Sequence, residues 1–140
     1  MKKLNIIFAI LTLTVFTVSC ETNFDDYDTP RETIIGFSRG SATVTVPNGG
    51  ESSRDLDIFI SDVASTDRTF NVVVDPSETT LLNESYDFES TVTIPANERF
   101  GVIVITGYDI SLPEEDGIVT LQLESSSEYI SGRPTVVTIK

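Results

Sequence analysis

From Thr33 onward, apolar side chains recur at every second position, and that period leaves room for little except β-strands. Leu56, Ile58 and Ile60 alternate with Asp55 and Asp57. Phe70, Val72 and Val74 repeat the pattern until Asp75-Pro76 stops it. Ala42, Val44 and Val46 alternate with threonines, as do Val92 and Ile94, and Val119, Leu121 and Leu123 alternate with Thr120 and Gln122. Alternation of this kind marks strands with one face buried and the other wet. Thr33–Phe37 and Thr135–Ile139 are β-branched opening and closing strands. Phe100–Tyr108 differs. Val102, Ile103, Val104 and Ile105 are apolar in both phases, which predicts a central strand covered on both faces. Pro47-Asn48-Gly49-Gly50 and Pro95-Ala96-Asn97-Glu98 are turns. Ser125-Ser126-Ser127 and Gly132-Arg133-Pro134 punctuate the approach to the last strand. Residues 75–89 are the longest irregular stretch, with Leu81-Leu82 pairing briefly inside it, and 109–117 form an acidic loop. No helical stripe appears in this region. Seven or eight short strands at this spacing predict an all-β fold: a single antiparallel two-sheet sandwich, with a small closed barrel as the alternative.

The first twenty residues obey a different rule. Lys2 and Lys3 give a positive start, Ile6 to Phe16 an apolar run, and Thr17-Val18-Ser19-Cys20 an end. The run is shorter than the ~20 residues that cross a bilayer, so cleavage is expected rather than retention as a span. Cys20 is the one cysteine in the chain, so no disulfide can form within it. Residues 17–20 resemble the lipobox of bacterial lipoproteins, with Thr17 in place of the usual leucine. That resemblance implies a signal peptide over 1–19 and lipidation of Cys20, and with it a membrane partner reached without spanning. Residues 20–32 then form an acidic, aperiodic tether, and 33–140 the sandwich domain. Acidic residues after the lipid cysteine also resemble a surface-export signal of some Gram-negative lipoproteins. The implied location is the cell envelope, in the outer membrane of a Gram-negative bacterium.

Charge and missing residue types exclude whole classes of function. The formal net charge is −13, and loss of Lys2 and Lys3 with the leader leaves 7 basic against 22 acidic residues, or −15. A polyanion of this size does not seek nucleic acid. The chain has no His, which removes Ser-His-Asp and Cys-His catalysis and His-based zinc sites. It has no Trp to serve as a sugar platform for a carboxylate glycosidase. The expectation is that it is not an enzyme. Tyr27, Tyr86, Tyr108 and Tyr129 would either line a binding face or pack at strand ends.

Residues 85–124 carry a second resemblance. Tyr86-Asp87-Phe88 leads into Thr91-Val92-Thr93-Ile94, then Pro95-Ala96-Asn97-Glu98, the long strand, Asp109, Glu114-Glu115-Asp116 and Val119-x-Leu121-x-Leu123. This order resembles the Calx-beta domain, an immunoglobulin-like sandwich of sodium/calcium exchangers and many bacterial surface proteins. The resemblance implies an immunoglobulin-like sandwich here and Ca²⁺ as a candidate cofactor. Carried over position by position, the candidate metal ligands are Asp87, Asp109, Glu114 and Glu115. This chain departs from the family in having a single Asp109 followed by Ile110, and Gly117 where a further glutamate is usual. The functional expectation is a non-catalytic, lipid-anchored envelope protein that presents its sandwich to an envelope protein or a surface glycan, in glycan uptake or adhesion. The alternatives are a calcium-binding module and a pilus-type subunit.

Overall fold

In a computed structural model that describes residues 31–140, the alternating stretches become ten strands. They are β1 (Thr33–Phe37), β2 (Ser41–Val44), β3 (Glu51–Ile60), β4 (Arg68–Val74), β5 (Tyr86–Phe88), β6 (Thr91–Ile94), β7 (Phe100–Tyr108), β8 (Gly117–Leu123), β9 (Tyr129–Ser131) and β10 (Thr135–Ile139). A single 3-10 turn at Asn83–Ser85 is the one helical element among the described residues. The leader, Cys20 and the tether as far as residue 30 lie outside the described residues.

Two five-stranded sheets form the sandwich. The first has the order β5-β7-β3-β1-β9 and the second β2-β10-β8-β4-β6. The expected count of seven or eight strands is corrected to ten. β5 and β9 account for the excess. Each has three residues, too short to show a period, and each exists because a longer neighbour holds it. The expectation of a purely antiparallel sandwich is also corrected. β9 runs parallel to β1, with Ile34 beside Ile130, and β10 runs parallel to β2, with Val137 beside Ala42. Residues 33–44 and 129–139 therefore run side by side, and both cross from the first sheet to the second at 38–40 and 132–134. Parallel pairing is natural here because the whole chain between them serves as the crossover.

Alternation translates directly into burial. Leu56, Ile58 and Ile60 of β3, Phe70 and Val72 of β4, and Val119, Leu121 and Leu123 of β8 all face one core. β7 corrects its prediction. Ile103 and Ile105 are fully buried, but Phe100 is 58% and Val102 49% exposed. The strand is covered on one face only, and its second apolar phase lies in solvent. Leu81 is anchored by its N–H to the Ile118 carbonyl at 3.1 Å rather than by a strand, and its side chain lies over Gly117. The two expected turns are present. Gly50 N–H donates to the Pro47 carbonyl and Glu98 N–H to the Pro95 carbonyl. Gly49 and Asn97, at the third position of each turn, have φ of 70° and 65°, as a type II turn requires.

One polar cluster fastens the start of β1. Thr33 Oγ1 donates to Asp62 Oδ2 at 3.0 Å, and Arg68 Nη1 to Asp62 Oδ1 at 2.9 Å. Partial burial pushes the Asp62 carboxyl upward. The bonds from Arg68 and Thr33 and the guanidinium charge outweigh it and hold Asp62 below its ordinary 3.8. A carboxylate depressed in the folded state contributes stability above pH 3.8, and that contribution is lost as pH falls through the lower folded value. We expect the difference in urea midpoint between wild type and Asp62→Asn to shrink steadily as pH drops below 4. The side chain is half-exposed, so solvent screening keeps the difference small.

Candidate functional site

The four carboxylates picked out for calcium lie on one strand and in one loop. Asp87 sits on β5 opposite Thr106, and its Oδ1 accepts the Phe88 N–H at 2.9 Å. Asp109 follows β7, and its Oδ2 accepts the Gly49 N–H at 2.6 Å while its own N–H donates to the Gly50 carbonyl. These bonds tie the acidic loop to the 47–50 turn. Glu114 and Glu115 lie exposed in the loop between β7 and β8. Ser111 Oγ in that loop bonds Glu84 Oε1 at 2.5 Å. Among the described residues no three or more His, Cys, Asp or Glu side chains come together where they could hold a metal ion. Asp87 and Asp109 each direct an oxygen at a nearby backbone amide, which is how carboxylates stabilise turns and strand ends.

The tyrosines divide between packing and partial exposure. Tyr86 is buried, stacks on Phe88 and bonds Asn83 Oδ1 at 3.3 Å. Burial pushes its phenol above the ordinary 10.0. Tyr129 meets Phe70 edge-on, with ring centroids 4.8 Å apart. Tyr108 is half-buried at the end of β7, and Tyr27 lies outside the described residues.

What sequence reasoning missed is the outer face of the first sheet. Phe59 of β3 and Phe100 of β7 are direct cross-strand partners, and their rings meet at 5.4 Å with a 53° tilt. Ile34 of β1 and Ile130 of β9 are likewise paired, and both are exposed. Between them lies a depression of about 510 Å³ whose floor is Gly36 and Gly132 and whose rim carries Arg133, Ser38 and Ser61. The lining is mostly carbon. The two glycines let β1 and residues 132–133 approach closely: a Cβ at Gly36 would lie 2.7 Å from the Arg133 nitrogen, and one at Gly132 would lie 2.9 Å from Ile34 Cγ2. A signal was present in the sequence. Phe59 stands in the polar phase of β3, after Asp55 and Asp57, where alternation calls for another hydrophilic residue.

Neither a protein-family model nor a curated protein matches the chain. Solved structures do. A multidomain protein including DUF1735 from Bacteroides ovatus superposes with a TM-score of 0.61 at 18% identity, over 75% of this chain and 44% of that one. The apo-form Calx CBD1 domain superposes with a TM-score of 0.60 at 17% identity, over 78% of this chain and 96% of that domain. The calcium binding domain CBD12 of CALX1.1 gives 0.56 at 18% identity, over 76% of this chain and 44% of that one. The chain has the Calx-beta-like sandwich fold. It spans less than half the length of the B. ovatus protein.

Proposed function

We propose that this chain is a non-catalytic interaction module, held at a cell envelope by a lipid on Cys20, that meets a partner with the outer face of its first sheet. The observation that carries the reading is the Phe59–Phe100 depression. An acidic chain of net charge −13 has ample means to keep a sheet face polar, yet this face presents Ile34, Phe59, Phe100 and Val102 to solvent. Contiguous apolar surface of this kind marks a protein contact. Its few polar groups, Ser38, Ser61 and Arg133, suit a protein partner better than the many hydroxyls of a glycan. The absence of His supports a binding role over catalysis. The setting we propose is the outer membrane of a Gram-negative bacterium, on the strength of the lipobox resemblance.

A photo-reactive group at Phe100 in intact cells is expected to give an adduct with an envelope protein, and the same group at Thr43 on β2 is not. Equal labelling at both positions, or none at Phe100, would overturn the reading. Cys20→Ala is expected to move the protein from the membrane to the soluble fraction. Membrane retention of that variant would remove the anchor.

Calcium binding is the second reading, favoured by the fold shared with the calcium binding domain CBD12 of CALX1.1. The two readings part on one measurement. If the module is a protein-binding one, millimolar calcium leaves its thermal midpoint unmoved. Asp109→Ala then lowers stability by about 1 kcal/mol with or without calcium, through the lost bond to Gly49. A calcium-dependent gain of ~2.7 kcal/mol at one hundred times the dissociation constant, absent in Asp109→Ala, would install calcium instead.

A further inference from the structure

β7 has an edge that its neighbour does not cover. β5 pairs with β7 only from Ile105 to Gly107. One residue further on, Glu89 N–H donates to the Val104 carbonyl, while the Val104 N–H is taken by the Glu89 carboxylate at 2.9 Å. There the covering chain leaves for the second sheet, where the Ser90 carbonyl accepts from Val72.

The orientation of the next residues follows from the ladder on the other side. Ser38 N–H donates to the Asp57 carbonyl, so the backbone groups of Asp57 face β1. Asp57 pairs with Val102, and Phe59 with Phe100. In an antiparallel ladder, such pairs alternate between bonded and non-bonded. Ile60 N–H donates to the Arg99 carbonyl, which fixes the alternation. Phe100 and Val102 therefore direct their N–H and C=O groups away from β3, past the end of β5. No described residue bonds to them. Their side chains, 58% and 49% exposed, lie on the outer face beside Phe59.

We propose that this edge is a strand-addition site: an extended segment of a partner protein pairs with Phe100–Val102 and continues the sheet where β5 stops. Open edges are normally blocked, and the Glu89 carboxylate blocks this one at Val104 and no further. Four backbone groups are left to bind an incoming strand, and Phe100 and Val102 offer apolar contacts to every second side chain of it. The charges choose the partner. Asp55 and Asp57 share the outer face with Val104 and Val102, and Glu89 stands at the closed end. Arg99, at the start of the strand, is turned away to the Ser61 carbonyl. In the fitting segment the outer-face residues are apolar, to meet Phe100 and Val102, and the residues between them, on the opposite face, are Lys or Arg, drawn by the chain's net charge of −13 rather than by Asp55 and Asp57. A second copy of this chain would bring another net −13 to the same edge. The inference rests on the proposal that the outer face of the first sheet is the binding surface.

The test uses the full chain and a defined probe, the peptide Lys-Val-Lys-Val-Lys-Val-Lys. Amide exchange at Phe100 and Val102 is expected to be unprotected in the free chain and slowed about tenfold or more by the peptide. Methylating alternate peptide nitrogens, or replacing every Lys by Glu, is expected to weaken binding by about tenfold or more. Val102→Lys is expected to do the same without moving the thermal midpoint. Unchanged exchange at both amides in saturating peptide overturns the proposal, as does equal binding by the methylated peptide. Self-association abolished by Val102→Lys would make a second copy the occupant and overturn it too. An adduct at Phe100 in cells together with no strand addition would sink this inference alone. The absence of any adduct would sink the binding surface itself.

Discussion

Ile103→Ala is expected to cost about 2–5 kcal/mol, and Val102→Ala, one residue away, within about 0.5 kcal/mol of nothing. Both are truncations of aliphatic residues in the same nine-residue strand. They differ in where the side chain points. Ile103 is fully buried between the sheets, in the layer that contains Leu56, its cross-strand partner. Removing three of its carbons leaves a void that interlocked neighbours fill only in part, and the lost contacts add to the lost transfer energy. Val102 already stands half in water, so its truncation exposes little that was hidden. The buried substitution should lower the thermal midpoint by roughly 10–25 °C. Equal losses at the two positions would mean that β7 is covered on both faces, and the proposed binding surface would vanish with that result.

This strand also shows where the sequence stopped being readable. Alternation in β3, β4, β6 and β8 gave both the strands and their buried faces, because one phase was polar and the other apolar. In β7 both phases are apolar, and periodicity does not say which of them water touches. The burial of Ile103 and exposure of Val102 depend on β6 and β3, which come from elsewhere in the chain. β5 and β9 had no local signal because a three-residue strand has none to give. Tyr129–Ser131 is a strand because β1 lies beside it, and β1 is about a hundred residues earlier. For the same reason, the composition of the acidic loop could be read but its geometry could not. The Calx-beta resemblance marks the Asp109 carboxylate as a candidate ligand. That carboxylate holds Gly49, sixty positions away. The apolar intruder in the polar phase of β3, Phe59, was the more informative residue.

Gly36→Ala is expected to be the most damaging single-methyl addition at the sheet-crossing corner, at about 1–3 kcal/mol. A Cβ at Gly36 would sit 2.7 Å from the Arg133 nitrogen, 3.1 Å from its carbonyl oxygen and 3.1 Å from the Gly132 carbonyl carbon. All three are backbone atoms, so no side chain can swing aside. Nor is that backbone free to retreat. Gly132 N–H donates to the Ile35 carbonyl at 2.7 Å, and Phe37 N–H to the Arg133 carbonyl at 3.0 Å. The methyl must stretch those bonds, and they hold residues 33–44 to 129–139 where both leave the first sheet for the second. Gly49→Ala is the contrasting case, because nothing lies within 4 Å of its Cβ position and only the φ of 70° resists it. It should cost about 1 kcal/mol, confined to one turn. Urea unfolding ranks the two, and amide exchange separates their mechanisms: the Phe37 and Gly132 amides should exchange faster in Gly36→Ala and be unchanged in Gly49→Ala. A Gly36→Ala variant with wild-type stability and wild-type exchange would mean that residues 132–133 do not lie against β1. The floor of the apolar depression, which those residues build, would then be gone as well.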